Sequence, residues 1–174
     1  MVLAMLVTMS CTTSSSISID GKSFWILKSL PVKAETVFLS KIMVNLTVTL
    51  PLSLISSVLL AIALKMDAVQ FVFMLLTPAA FAVLSAEVGL FLNLMYPNFV
   101  CPSEIAVVKQ SIPTLISVLG GMAVSIALLI GLTKLPQHMQ MPGLAVITAV
   151  AAAADLILYR LLKTKGADMF RKIF

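Results

Sequence analysis

Apolar residues in this chain fall in long unbroken runs, and nearly all of the charge lies between the runs. Period-two alternation would mark strands, and a narrow stripe every three or four positions would mark helices half-exposed to water. Uninterrupted runs of about 18 residues or more mark helices that an apolar medium surrounds. Five segments of this kind are predicted, at 1–17, 42–64, 69–95, 111–132 and 143–162. The first, inside "MVLAMLVTMSCTTSSSISI", is a partial span. It has no charge, lacks the basic start of a signal peptide, and ends in a Ser/Thr-rich turn. It reads as the latter part of a spanning helix whose beginning is missing. Pro51 in span two removes the donor to the Thr47 carbonyl and predicts a kink. Span three is long enough to tilt, or to break near Pro78. The fold class is all-α: one polytopic transmembrane bundle of about five spans.

Between the spans lie 18–41, a tight turn at Lys65-Met66-Asp67, a connection at 96–110, the loop "TKLPQHMQMP" and a basic tail at 163–174. These segments alternate sides of the membrane. One side collects Lys22, Lys28, Lys33, Lys41, Lys109, Arg160, Lys163, Lys165, Arg171 and Lys172; the other has only Lys65 and Lys134. Positive charge is retained on the cytoplasmic side, so 18–41, 96–110 and the C-terminus are expected there, in a bacterial cytoplasmic membrane.

Composition agrees. The chain is 60% hydrophobic and 11% charged, with a mean hydropathy of +1.12, whereas soluble domains carry about 45–50% apolar and about 25% charged residues. The net charge of +5 orients the spans and does not indicate nucleic acid. Cys11 and Cys101 fall at different depths, which disfavours a disulfide. His138 has no Cys or acidic neighbours, so no metal site is expected. Asn45-Leu46-Thr47 matches a glycosylation sequon inside a span, where it is noise. No nucleophile–base constellation appears, and the chain is not expected to be an enzyme.

Segment 18–41 contains Gly21-Lys22-Ser23, which looks like the end of a phosphate-binding loop. Such a loop needs its first glycine at position 16, which is Ser16, and a strand before it. The triplet is a coincidence. Asp20 can cap a helix running towards Leu30, and Pro31 suits the first turn of a second helix that enters span two. Glu35 sits favourably in that helix's first turn. This helix-corner-helix segment is either an elbow lying in the headgroups, anchored by Trp25, or a docking element for a cytoplasmic partner.

Two motifs bear on that choice. "SSISIDGKSFWILKSLPVKAETVFLSK" resembles the S-x-I-S-x-[DE]-G-K-x-x-W-[IL]-L-K-S-L-P-V segment of ABC-2-type exporter permeases, particularly the long exporter permeases of Gram-positive bacteria. "NLMYPNFVCPSEIAVVKQS" is similar to that family's N-L-x-[FY]-P-x-F-x-W-x-x-E-x-x-V-V-K-Q-S, with Val100 and Cys101 where an acid and a Trp are usual. Both motifs fall on the expected cytoplasmic side, and the chain resembles the C-terminal part of such permeases. The resemblance implies that a separate ABC ATPase subunit binds ATP and Mg, while this chain binds no cofactor. It implies that Asp20, Gly21, Lys22, Trp25, Lys28, Leu30 and Pro31, with Glu104, Lys109 and Gln110, couple to that subunit. Besides lipid, a second permease copy or the missing N-terminal part would be further partners. The alternative is a non-transporting assembly partner or inactive remnant. An ion-coupled carrier would need buried charges in paired spans, which the sequence does not display.

Glu87 is the one carboxylate well inside a span. Intramembrane acids are functional candidates. The plainer reading is a polar lock to a neighbouring helix, or water access near Asn93, since no second buried ionisable group is evident to relay a proton. Asp155, five residues before Arg160, reads as a local polar contact. Two rows of small residues, Ser117/Gly121/Ser125 and Ala145/Ala149/Ala153, predict close helix packing within the bundle.

Overall fold

The computed structural model describes residues 1–19, 32–97 and 111–172. Helix α1 spans Val2–Met9 and α2 Ser16–Ile19. They are followed by α3, Ala34–Leu64, α4, Ala68–Met95, α5, Ile112–Thr133, and α6, Gln137–Leu161. A π-helical turn at Leu162–Gly166 leads into α7, Ala167–Lys172. Among the described residues no strand occurs. Helices α3, α4, α5 and the run His138–Phe170 are long and apolar enough to cross a membrane.

Prolines do not end the long helices, and span three does not break at Pro78. α3 and α4 run on through Pro51 and Pro78. α3 starts at Ala34, so the second half of the predicted corner segment and span two form one helix, with Glu35 in its first turn. α6 starts at Gln137 and includes Pro142; a proline that early removes only one ladder bond, to the His138 carbonyl. At the other end of α3, Lys65 takes a left-handed φ of 48°, and Met66 N–H donates to the Ala61 carbonyl at 3.2 Å. The Gln70 carboxamide then accepts from Asp67 N–H at 3.3 Å and starts α4.

Consecutive long helices alternate in direction. Lys33, Lys41, Arg160, Lys163 and Lys165 therefore gather at one end of the bundle, hereafter the basic end, and Lys65 and Lys134 at the opposite end. A cluster of Ile17, Phe38, Ile42, Leu90, Leu94, Leu162 and Phe170 fills the basic end. Phe38 and Phe170 meet edge to face, with ring centroids 5.5 Å apart. The opposite half has a smaller core around Ala4, Phe81 and Ala151.

Segment 1–19 runs beside α4 through this whole depth. Leu3 shares a recess with Phe73 and Met74, Ala4 packs on Phe81, Cys11 reaches Ser85, and Ser18 reaches Asn93. From Phe73 to Asn93 the helix rises about 30 Å, close to a bilayer's hydrocarbon thickness. The segment thus covers the length of a crossing, with a break in its middle. Its helix ends at Met9, and the hydroxyls of Ser14, Ser15 and Ser16 donate back to the carbonyls of Cys11, Thr12 and Thr13. Local bonds of this kind compete with the helical ladder, which is why the Ser/Thr run folds as buried turns inside the bundle. The expected partial span and Ser/Thr-rich turn take the form of a helix, a break at the Ser/Thr run and a further short helix.

The small-residue rows divide. Ser117 and Ser125 are buried and Gly121 faces α1, where an added Cβ would meet Thr8 Cβ at 3.1 Å. Ala149 and Ala153 are exposed, and Ala145 is half-buried. Only the first row serves close packing inside the bundle.

Candidate functional site: a clamped break, an end latch and two facing carboxyls

Backbone that leaves the helical ladder at membrane depth must find partners in the protein. Two asparagines supply them. Asn45, in α3, accepts from Thr12 N–H at 3.0 Å and Thr12 Oγ1 at 2.9 Å. Asn93, near the end of α4, accepts from Ser18 N–H and Ser18 Oγ at 3.2 Å each and donates through Nδ2 to the Ser14 carbonyl. Between them Thr13 Oγ1 donates to the Ala86 carbonyl at 2.7 Å and Cys11 Sγ to the Ser85 carbonyl at 3.0 Å. Both asparagine side chains are fully buried. Gly89 makes the approach possible. A Cβ there would run into Cys11 Sγ and lie 2.9 Å from Thr13 Oγ1 and 3.1 Å from Ser14 N. Asn45, dismissed from sequence as a stray sequon, is a structural clamp. The signal that identifies it is simple: a carboxamide deep in a span needs a partner.

At the basic end, Lys163 Nζ lies 2.9 Å from Glu35 Oε1, and Tyr159 OH donates to the same oxygen at 3.2 Å. These bonds latch the start of α3 to the last span. Ser14 Oγ lies 3.4 Å from Thr114 Oγ1, which pairs with Ser111 Oγ at 2.7 Å, so the start of α5 meets the break. The flanks of both motif-bearing segments are therefore fixed at this end: Ile19 and Lys33 border one, Pro97 and Ser111 the other. The coupling residues Asp20, Gly21, Lys22, Trp25, Lys28, Leu30, Pro31, Glu104, Lys109 and Gln110 themselves lie outside the described residues, as does Cys101. Cys11 is buried and free.

Glu87 is buried in α4, and its Oε2 has no hydrogen-bond partner. It is not locked to a neighbouring helix through that oxygen. Asp155, half-buried on α6, lies within electrostatic range of Glu87, and its Oδ1 is also without a partner. A second ionisable group near Glu87 is thus the half-buried Asp155. Among the described residues no group of three or more His, Cys, Asp or Glu side chains could hold a metal ion.

Long apolar helices, exposed hydrophobic flanks such as Leu59, Ile62, Leu119 and Val150, and buried polar seams define a multi-pass helical membrane protein. Over residues 1–161 the chain matches, and belongs to, the family described as "Putative ATP-binding cassette", which relates it to ABC transporters. Comparison with curated proteins gives no match, and comparison with solved structures gives none either.

Proposed function

We propose that this chain is the membrane-spanning, permease part of an ATP-binding-cassette exporter, with its basic end in the cytoplasm. A separate ATPase subunit docks there on segments 20–31 and 98–110. The observation that carries this reading is that both motif-bearing segments leave and rejoin the bundle at the one end where positive charge gathers. The family's description names an ATP-binding cassette and so fits either subunit of such a transporter. The membrane role is favoured because the described residues are apolar helices, whereas a nucleotide cassette cradles phosphate between a strand and a helix.

The geometry suggests how docking would act on the spans. Motion of segment 20–31 pulls directly on α2, whose Ser18 is tied to Asn93 of α4. Motion at its other end reaches Glu35, which is latched to Lys163. ATP and Mg act in the partner subunit, and the bundle responds by shifting α4 and α6 against each other.

Docking energy concentrates in a few large side chains, with charges setting orientation. In co-expression with its ATP-binding-cassette ATPase subunit, Trp25→Ala and Lys28→Glu should each lower co-purification of that subunit at least tenfold and leave membrane insertion intact. Undiminished ATPase binding in both variants would reduce the segment to a headgroup elbow.

A further inference from the structure

On the face of α4 opposite the broken crossing, α4 packs on α6, with Thr77 and Thr148 hydroxyls 2.8 Å apart, and a recess lies beside that contact. This groove is about 530 Å³, within the range of sites that hold small organic ligands. Its walls are apolar: Leu76, Ala80 and Val83 from α4, Ala145 and Ala149 from α6, and Leu50 from α3. The exposed lining residues Leu76, Ala149 and Ala152 open it sideways, towards lipid. Thr148 is one of two polar residues in the lining, and its hydroxyl is already engaged by the Leu144 carbonyl at 2.9 Å and Thr77 Oγ1 at 2.8 Å. The other is Asp155, with Oδ1 unpartnered. Glu87 continues the α4 row of Leu76, Ala80 and Val83 by one more turn. It is 3% exposed, and its Oε2 is likewise unpartnered.

An ionised carboxylate in an apolar site costs several kcal/mol unless it is paired, and a second one within electrostatic range adds repulsion. A cation seated beside them removes both penalties. Hydrated metal ions are a poor fit, since two carboxyls fall short of the six or more oxygens that calcium or magnesium requires. An organic cation with an apolar body fits better: its charge meets Asp155 and Glu87, and its body replaces lipid against Leu76 and the alanines. The small α6 side chains leave room for that body.

We infer that the α4–α6 groove binds amphiphilic organic cations taken from the bilayer, with Asp155 as the primary counter-ion and Glu87 behind it. As a statement about exported substrate this rests on the permease reading; as a binding site it does not. The test uses the purified full chain in lipid nanodiscs, without ATPase or ATP, and radiolabelled tetraphenylphosphonium as probe. Saturable binding is expected. Asp155→Asn should weaken it at least tenfold, Asp155→Glu should restore most of it, and Ala149→Trp, which fills the groove without touching charge, should abolish it. The anion tetraphenylborate should not compete. Wild-type affinity in Asp155→Asn, or equal competition by tetraphenylborate, would show an apolar cleft that lipid fills. Efficient cross-linking of Ala149→Cys between two chains would show that a second copy covers it; either outcome overturns the proposal. Because no ATPase is present, loss of probe binding leaves the docking reading standing, and failed docking leaves the probe result standing.

Discussion

On one face, α4 meets the broken crossing through Cys11, Thr13, Ser14 and Ser18, each of which has a defined partner on α4. On another face, α4 meets α6 beside a groove lined by Asp155, whose Oδ1 has none, and Glu87 Oε2 on α4 likewise has none. Both are polar seams in an apolar bundle, yet they answer different demands. The first is irregular backbone that must be satisfied internally, and it is paired and tightly approached at Gly89. The second is side-chain chemistry on intact helices, where the backbone is already satisfied and a polar group can be left open for a ligand. Polarity at membrane depth is therefore not one signal. Its meaning depends on whether the backbone beside it is helical.

The strongest way to break this contrast is at Gly89. Gly89→Ala forces a Cβ into Cys11 and Thr13, and a cost on the order of 3 kcal/mol is expected, the upper range for overpacking. Unfolding in mixed detergent micelles would register it as a clear loss of resistance. Next, Asn93→Leu removes the partners of Ser18 N–H and the Ser14 carbonyl, and leaving such buried groups unmet costs about 2 kcal/mol. Asn45→Leu should cost less, because it strands the groups of Thr12 alone. On the groove side, Thr77→Val deletes one interhelical hydroxyl pair, worth about 0.6 kcal/mol in membrane bundles. Equal losses at Asn93 and Thr77 would erase the distinction between the two seams. Smallest of all, Lys65→Gly relieves a left-handed backbone and should raise stability by about 1 kcal/mol or less.

Much of this architecture is legible in the sequence. The runs at 42–64 and 69–95 fall within the observed helices, and 111–132 matches α5 to one residue at each end, because continuous apolar stretches leave few alternatives. The breaks were harder to place. The last span was expected from 143, yet α6 starts at Gln137 and takes in Pro142, where a single bond is lost. The Ser/Thr run at 12–16 interrupts the helix, with Thr13, Ser14 and Ser15 buried. Its fate depends on Asn45 and Asn93, 33 and 75 residues distant from their partners in sequence. The proximity of Glu87 and Asp155 was invisible for the same reason, since it follows from how α4 packs on α6. The residues expected to couple to an ATPase were read from motif resemblance, and the structure describes only the chain that brackets them.

The account depends most on a single orientation, with both motif-bearing segments and the C-terminal latch on the cytoplasmic face. Single cysteines at Lys28, Lys163 and His138, in a background without Cys11 and Cys101, can be probed in intact cells with a membrane-impermeant maleimide. Protection at 28 and 163 until the cells are opened, with immediate labelling at 138, is the predicted result. Labelling of 28 or 163 from outside, or of 28 and 138 from the same face, would contradict it.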